Sequence, residues 1–221
     1  MNKKLVIFGS GEIAQLAHYY FTNDSNYDVS AFTVDEKFIE EDIFCSLPLV
    51  PFETLEIQYP TSEYCLFIAL GYSKLNRIRR NKFEEAVARG YELVNYISSH
   101  ATVLNDECVG KNCFILEDNT IQPFVKIGDN VTLWSGNHIG HHSTIDNHCF
   151  LASQIVVSGG VKIEEQCFIG VNATLKDHIT VGARSIIGAG VLLLNNTETQ
   201  SVYKGTKGVP SEAKSSAIRS I

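Results

Sequence analysis

Aliphatic residues recur at every sixth position through the second half of the chain. The series begins at Val103 and ends at Leu193, and all sixteen of its positions hold valine, leucine or isoleucine. A period of six matches neither the 3.6-residue turn of an α-helix nor the alternation of a simple β-strand. It is the repeat of a parallel β-helix, in which each hexapeptide supplies one flat face of a triangular coil and three hexapeptides complete a turn.

The first 98 residues follow a different pattern, in which short apolar runs alternate with helical stretches. This alternation is typical of a parallel α/β unit. Apolar runs at 5–8, 29–34 and 64–70 are its predicted strands. We therefore predict an α/β domain over 1–98, an all-β parallel β-helix domain over 99–195, and a polar tail over 196–221 that caps the end of the coil.

A glycine turn connects the first predicted strand to the first predicted helix. Gly9, Ser10 and Gly11 stand there, and glycines let the backbone approach a phosphate while the free N–H groups of the next helical turn favour an anion. Asp35, after the second strand, stands where an acidic residue commonly holds a ribose hydroxyl. A tight structural turn is an equally good interpretation. The domain also has room for only half of the doubled dinucleotide fold.

Ligands of open parallel sheets bind at the carboxyl ends of the strands, so the loops at 9–11, 35–37 and 71–73 are expected to converge. The candidate substrate-binding residues in these loops are Gly9, Ser10, Gly11, Asp35, Lys37, Gly71, Tyr72 and Ser73. The helix expected from Lys74 onward carries several arginines, including Arg79 and Arg80, which favour a solvated basic face.

Charge and hydropathy narrow the class of partner. A formal net charge of −7 argues against nucleic-acid binding, because phosphate recognition usually comes with a basic face. The apolar run after Lys3 and Lys4 is too short for a signal peptide, and no later run approaches the ~18 residues of a membrane span. We expect a cytoplasmic protein whose partner is a small molecule.

The six cysteines form no C-x-x-C pair, so neither a zinc ribbon nor a redox motif is indicated. Cys113, Cys149 and Cys167 each stand two residues before an aliphatic position and are expected to stack inside the coil as small core residues. Glycines directly after the aliphatic positions are expected to give the corners a permissive backbone. These glycines are Gly110, Gly128, Gly140, Gly170, Gly182 and Gly188.

The segment GNHIGHHSTI at 136–145 contains three histidines. A zinc site would need imidazoles that converge and partners that orient them, whereas His138 and His141 flank the inward-pointing Ile139 in different hexapeptides. Surface decoration of the coil is a second interpretation. A catalytic base is the third, because an imidazole titrates near neutral pH and can take a proton from a reacting group.

The chain resembles a known family in its glycine-turn α/β domain, its hexapeptide domain and the segments GVNAT at 170–174 and IGAGV at 187–191. It resembles the bacterial sugar O-acyltransferases and nucleotide-amino-sugar N-acetyltransferases of the left-handed β-helix superfamily, with sialic-acid O-acetyltransferases as relatives. The resemblance implies a left-handed coil, a Rossmann-like nucleotide-sugar-binding domain, a homotrimer and acetyl-CoA as co-substrate, with no metal.

The implied reaction is acetyl transfer to the amine of a UDP-, dTDP- or GDP-linked amino-deoxysugar, a precursor of bacterial surface polysaccharide. His141 occupies the position of the family's base. His142 stands where relatives usually carry a carboxylate that orients the base, so either His142 or a carboxylate elsewhere is expected to take that part. The cofactor-binding residues implied by the resemblance are Gly159, as oxyanion donor, and Val171, Ala189, Gly190 and Lys204.

Two functions of different class stay open from the sequence. One is the acetyltransferase just described, with sugar O-acetylation as the alternative within the enzyme class. The other is a non-catalytic trimer that binds a metabolite and uses the coil only as a scaffold.

Overall fold

The structure is a computed structural model that describes residues 3–104, 108–210, 212 and 214–217. Its first unit is a six-stranded sheet with helices on both faces. The strands are β1 (Lys3–Phe8), β2 (Tyr27–Val34), β3 (Ile43–Phe44), β4 (Leu47–Pro51), β5 (Tyr64–Ile68) and β6 (Glu92–Leu93). The helices are α1 (Glu12–Asn23), α2 (Leu55–Gln58) and α3 (Arg77–Ala88), with single 3-10 turns at Glu36–Phe38 and Phe52–Thr54.

The sheet has the strand order β3-β4-β2-β1-β5-β6, and every neighbouring pair is parallel except β3 with β4. Alternate residues of β1 face opposite layers: Leu5 packs in one cluster with Phe21 of α1, whereas Val6 packs in another with Phe83 of α3. Burial on both faces is the reason that the central strands are continuous apolar runs.

The second unit is a coil of two-residue strands that pair in parallel with strands one turn away, 18 residues for pairs such as Ile121 with Ile139 and 16 residues for Ile186 with Val202. The strands are β7 (Tyr96–Ile97), β8 (Thr102–Val103), β9 (Phe114–Ile115), β10 (Thr120–Ile121), β11 (Lys126–Ile127), β12 (Thr132–Leu133), β13 (His138–Ile139), β14 (Thr144–Ile145), β15 (Phe150–Leu151), β16 (Val156–Val157), β17 (Lys162–Ile163), β18 (Phe168–Ile169), β19 (Thr174–Leu175), β20 (Thr180–Val181), β21 (Ile186–Ile187), β22 (Leu192–Leu193) and β23 (Val202–Tyr203). This pairing confirms the parallel β-helix that the six-residue period predicts.

Three parallel sheets form the sides of the coil. Face 1 contains β7, β9, β12, β15, β18, β21 and β23; face 2 contains β8, β10, β13, β16, β19 and β22; face 3 contains β11, β14, β17 and β20. The aliphatic series fills the interior, and from Ile115 onward each of its members exposes at most 4% of its surface. The thiols of Cys113, Cys149 and Cys167 are buried and contact carbonyl oxygens 15 residues on, at 3.2–3.3 Å.

The corners of the coil differ from the expectation. Left-handed backbone falls three residues after the aliphatic position and mostly on residues other than glycine, such as Asn130, His142 and His178. Gly140, directly after Ile139, has no positive φ, but a Cβ added to it would lie 2.6 Å from a backbone carbon of Ser158. The corner glycine is therefore required by the close approach of the next turn and not by backbone freedom.

The coil sheets run slightly beyond 99–195 at both ends. The strand β7 pairs with β9, because Ile97 stands six residues before Val103 and continues the aliphatic series. At the other end β23 pairs with β21, so part of the polar tail extends face 1.

The helix α3 joins the α/β unit to face 1, which corrects the expectation of a solvated basic face. Arg79 is 2% exposed; its guanidinium donates to the Thr132 hydroxyl and to the Cys149 carbonyl at 3.0 Å. Asn76 donates to the Cys167 carbonyl at 3.1 Å. Burial lowers the pKa of Arg79 to about 10. Asn112 completes the joint, because its side-chain oxygen accepts from the Ile68 N–H at 2.7 Å.

No helix within the described ranges is long and apolar enough to cross a membrane.

Candidate functional site

A cavity of about 510 Å³ opens at the carboxyl ends of β1 and β2. Its lining brings two of the three predicted loops together with α3 and the 35–44 segment. The lining residues are Phe8, Gly9, Ser10, Gly11, Val34, Asp35, Phe38, Glu40, Glu41, Ile43, Phe44, Leu49, Leu70, Ile78 and Lys82. Of the other candidates, Lys37 places its ammonium over the Phe38 ring, 4.9 Å from the centroid, and Tyr72 contacts the coil.

The two glycines of the turn have different reasons to be glycine. Gly9 has a φ of +134°, and a Cβ there would lie 2.8 Å from the Ala69 carbonyl oxygen, so the backbone requires it. Gly11 lines the cavity, and an added Cβ would meet nothing within 4 Å. It is also the N-cap of α1 and provides no side-chain cap, which leaves first-turn N–H groups free for an anion.

Asp35 is joined to a residue that the sequence did not single out. Its carboxylate lies 2.5 Å from the Lys82 ammonium, with both side chains 16% exposed. Burial works to lower the pKa of Lys82, but its hydrogen bonds to Asp35 and Glu85 outweigh this and raise it. Lys82 thus brings a fixed positive charge to the cavity. Lys82 stands four residues after Ile78, which also lines the cavity, so the two side chains lie on the same side of α3. This spacing is the sequence signal that could have identified Lys82.

An aromatic cleft of about 370 Å³ lies where the α/β unit meets the corner between faces 1 and 2. Tyr72 contributes from the loop after β5, and its ring lies 4.9 Å from Phe150 and 4.8 Å from Phe168. The lining residues are Tyr72, Trp134, Phe150, Ala152, Ser153, Phe168, Gly170, Val171 and Ala189. The sequence analysis missed Trp134 and the two phenylalanines, although the 18-residue spacing of Phe150 and Phe168 indicates that they stack.

His141 lies at the corner between faces 2 and 3, in the link from β13 to β14. Its imidazole covers the backbone of Gly159 on the next turn: a Cβ added to Gly159 would lie 2.6 Å from the ring carbon Cε1 and 2.8 Å from Nε2. A larger residue at 159 would therefore displace the imidazole. The structure thus places the predicted base directly beside the predicted oxyanion donor.

The N–H of Gly159 has no acceptor among the described residues. At the equivalent position one turn earlier, the His141 N–H donates to the Gln122 side chain, 19 residues back, at 2.9 Å. Nineteen residues before Gly159 stands Gly140, which has no side chain to accept. The corner therefore presents a free backbone donor next to an exposed imidazole, which is the arrangement that stabilises an oxyanion.

The three histidines of GNHIGHHSTI do not converge. His141 and His142 are in contact, with their Nδ1 atoms 3.1 Å apart, whereas His138 lies on face 2. Across the described ranges, no three His, Cys, Asp or Glu side chains are grouped so as to hold a metal ion.

The residues expected to bind the cofactor fall at two corners. Val171, Ala189 and Gly190 lie between faces 1 and 2, where the Gly190 N–H donates to the Val171 carbonyl at 2.8 Å. Lys204 is exposed. It lies beside these residues, because the carbonyl of the neighbouring Tyr203 accepts from the Gly188 N–H at 2.8 Å. Gly159 lies with His141 on the other side of face 2. Within one chain, the base and most of the cofactor set are therefore separated by the width of that face.

The bacterial transferase hexapeptide pattern (six repeats) matches residues 109–141 and 160–195. Among curated proteins, an acyl-[acyl-carrier-protein]–UDP-N-acetylglucosamine O-acyltransferase from Nautilia profundicola is 28% identical over 133 residues, 51% of each chain. The enzyme of the same name from Pseudomonas paraeruginosa is 27% identical over 51% of this chain and 43% of its own length. The chain thus spans about half the length of these curated relatives.

Two solved structures share the whole architecture. The acetyltransferase domain of PglB from Neisseria gonorrhoeae has a TM-score of 0.82 at 22% identity, covering 92% of this chain and 97% of that one. PerB from Caulobacter crescentus, in complex with CoA and GDP-perosamine, has a TM-score of 0.79 at 23% identity, covering 93% and 95%. At these identities the similarity establishes the fold.

The hexapeptide match, the parallel coil and these relatives agree. Residues 109–141 and 160–195 carry the bacterial transferase hexapeptide repeat, and the chain is similar to the acyltransferases and acetyltransferases named above.

Proposed function

We propose that this protein transfers the acetyl group of acetyl-CoA to the amine of a nucleotide-linked amino-deoxysugar, with His141 as the general base. The observation that carries the proposal is the contact of His141 with the Gly159 backbone, whose N–H is free. PerB, which has the same architecture, is described in complex with CoA and GDP-perosamine, and this supports the choice of both substrates.

The chemistry assigns a task to each group at this corner. The sugar amine attacks the thioester carbonyl carbon, a C–N bond forms, and the amine proton passes to Nε2 of His141. The Gly159 N–H donates to the oxygen on which negative charge develops. The C–S bond then breaks, and the imidazolium returns the proton to the CoA thiolate. The products are the acetamido sugar and free CoA.

The α/β unit is inferred to be a Rossmann-like nucleotide-binding domain. A diphosphate at the Gly9–Gly11 turn would meet the free N–H groups of α1, and the ribose would lie near Asp35 and Lys82. The volume of about 510 Å³ is in the ordinary range for a small-molecule site.

The sugar is inferred to extend from this cavity into the aromatic cleft. Leu70 lines the cavity and Tyr72, two residues on, lines the cleft, so the two sites meet at one loop. Aromatic rings such as Phe150 and Phe168 offer apolar faces against which the C–H side of a pyranose can pack.

We infer a homotrimer because one chain does not bring the two halves of the site together. His141 and Gly159 lie on one side of face 2, and Val171, Ala189 and Gly190 lie on the other. Face 2 also exposes the large apolar side chains of Val156 (40%) and Leu192 (63%), and Leu104 (59%) is exposed directly after β8. A closed ring of three coils through face 2 would cover these side chains and set one copy's base against the next copy's cofactor residues.

Thiol release from acetyl-CoA tests the proposed function. The protein is incubated with UDP-, dTDP- and GDP-linked amino-deoxysugars and, as matched controls, with the same sugars carrying a hydroxyl in place of the amine. We expect release with at least one amino sugar and a product heavier by one acetyl group. Release only with the hydroxyl sugars would make the protein an O-acetyltransferase, and acceptor-dependent release with none of them would contradict the proposal.

A further inference from the structure

The contact between His141 and His142 fixes where the protons of the pair can lie. The two Nδ1 atoms are 3.1 Å apart, so one donates a hydrogen and the other accepts it. Nε2 of His141 lies nearer than Nδ1 to the Cβ position of Gly159, at 2.8 Å against 3.2 Å, and it is the ring nitrogen that His142 leaves unengaged. A general base needs a lone pair at the nitrogen that faces the reacting group.

Only one of the two arrangements leaves that lone pair free. If Nδ1 of His141 carries the hydrogen and donates it to Nδ1 of His142, then Nε2 of His141 is unprotonated. If His142 is the donor, neutral His141 carries its hydrogen on Nε2 and cannot accept a proton there. The hydrogen bond made by one ring nitrogen thus decides the chemistry of the other.

The fold holds His142 in position to accept. Its backbone is left-handed, with φ +58°, at the recurrent corner position of the coil. Phe124, 18 residues earlier in the same corner column, places its ring 4.6 Å from the His142 imidazole at an interplanar angle of 36°. Phe124 is 67% exposed, and its ring contact is with the His142 imidazole.

We propose that His142 is a positioning residue: held by Phe124, it accepts the Nδ1 hydrogen of His141 and thereby keeps Nε2 of His141 free as the base. The inference rests on the proposed function for its catalytic meaning, and on the contacts just described for its geometry. A neutral imidazole here takes the place of a carboxylate.

The choice of a neutral acceptor has a consequence for pH. A carboxylate beside His141 would add a negative charge next to the ring, whereas neutral His142 adds none. Among the described residues, the groups that contact the pair, Gln122, Pro123, Phe124, Gly159 and Gly160, carry no charge. Titratable side chains elsewhere at this corner and on the strands beside it are Lys126, His138, Lys162, Lys176, Asp177 and His178. A negative charge introduced at position 142 is therefore expected to change how the rate depends on pH.

Three substitutions of His142 test whether its role is to accept the Nδ1 hydrogen of His141 or only to pack against the ring. Asparagine and aspartate place an oxygen where Nδ1 of histidine stands, and alanine places none. The variants His142→Asn, His142→Asp and His142→Ala are compared with His178→Asn, the matched control, since His178 lies in the same corner column and covers Gly160 instead. Rates are measured across pH with saturating acetyl-CoA and amino sugar.

We expect His142→Ala to lower kcat about 10- to 100-fold, part of the ~10²–10⁴-fold that general-base assistance contributes, with little change in either KM. His142→Asn should stay within about 3-fold of the wild type, as should the control, since its oxygen still accepts the hydrogen. His142→Asp should keep kcat but move the acidic limb of the pH profile upward by about one unit, because an anion now favours the imidazolium. Equal losses in His142→Ala and His142→Asn, or an unmoved limb in His142→Asp, would overturn the proposal.

A spectroscopic readout decides the geometry without any substrate. Long-range ¹H–¹⁵N spectra of the resting protein report which ring nitrogen of His141 carries the hydrogen. We expect Nδ1 to be protonated and Nε2 to be unprotonated, and we expect this preference to disappear in His142→Ala. Protonation of Nε2 in the wild type would refute the inference, whereas the expected spectrum together with no acetyl transfer would refute the proposed function and leave the positioning contact established.

Discussion

His141 and Gly159 stand 18 residues apart in the chain, one turn of the coil, and the structure puts the imidazole of one on the backbone of the other. The six-residue period was enough to predict this contact, because residues 18 positions apart occupy equivalent positions on successive turns of the coil. Lys82 could not be predicted in the same way. Its contact with Asp35 depends on which side of α3 faces the sheet, and the surrounding charges favoured a solvated face.

The first prediction concerns the glycine turn. Gly11→Val should leave the fold intact, because an added Cβ has open space, but should raise KM for the nucleotide sugar about 10-fold by filling part of the cavity. KM for acetyl-CoA should not change, since we propose that this substrate binds at the coil and not at the glycine turn. Steady-state kinetics with each substrate varied in turn measures both constants.

Gly9→Val is the matched comparison for this prediction. It should reduce the yield of folded protein, because the residue has a positive φ and a close approach to Ala69. Equal damage to both KM values in Gly11→Val would place the nucleotide elsewhere.

The second prediction concerns Lys82. Lys82→Met keeps the length of the stem over the rings of Phe8 and Phe52 but removes the charge beside Asp35. The buried carboxylate is then unpaired and repels the diphosphate, so we expect Kd for the nucleoside diphosphate to rise at least 10-fold. Calorimetric titration measures this, with Lys4→Met as the control expected to bind normally, since Lys4 pairs with Glu63 at the other end of β1 from the cavity. Unchanged affinity in Lys82→Met would remove Lys82 from the site.

The start of the helix α3 and the burial of its Arg79 could not be predicted from the sequence. A helix was expected from Lys74, but Lys74, Leu75 and Asn76 all have positive φ and the helix begins at Arg77. Arg79 is buried against face 1 because the coil supplies carbonyl oxygens at that point. Neither hydrophobic periodicity nor charge could show this, since the acceptors come from residues about 70 positions away.

The third prediction concerns the joint between α3 and the coil. His148 is 6% exposed, contacts the Asn130 side chain at 2.9 Å and packs on Phe83 of α3. Burial, aided by the positive charges of Arg80 and Arg79, lowers the pKa of His148 to about 4 from 6.5. The unfolded chain takes up this proton near pH 6.5 and the folded chain only near pH 4, so stability is complete above pH 6.5 and falls between these values.

The full loss across this window is on the order of 3 kcal/mol. We expect the Tm of the wild type to fall as pH is lowered from 6.5 to 4, and the decrease to be smaller in His148→Gln, which keeps hydrogen-bonding groups without titrating. Thermal unfolding by circular dichroism at several pH values measures this. Parallel profiles for the two proteins would show that His148 is not the group responsible.

At the scale of the whole molecule, the coil and its turn length followed directly from the six-residue period, whereas the distribution of the site over two corners did not. The family resemblance assigned Gly159, Val171, Ala189 and Gly190 to one cofactor. The structure places Gly159 across face 2 from the other three. A sequence motif assigns residues to a cofactor, but it does not show which of them lie together in one chain and which meet only when a second copy is present.

The fourth prediction tests whether neighbouring copies share a site. His141→Asn damages one corner, and Ala189→Glu damages the other by placing an anion in the aromatic cleft. Each variant alone should be nearly inactive. Random trimers formed after mixing, unfolding and refolding should regain activity, because about one quarter of the shared sites then combine two intact corners.

A homotrimer should also be visible directly by light scattering, at three times the 24.5 kDa chain mass. Failure of the mixed sample to regain activity, with refolded wild type as the control, would mean that neighbouring copies do not share a site. A stable and active monomer would contradict the shared site altogether.

The kinetics of His141→Asn across pH test whether His141 takes the proton from the attacking amine. We expect kcat to fall ~10²–10⁴-fold with little change in either KM, and the residual rate to rise with pH as more of the amine is unprotonated without help from the enzyme. A nearly silent His141→Asn, with turnover lost instead in His138→Asn, would contradict the account.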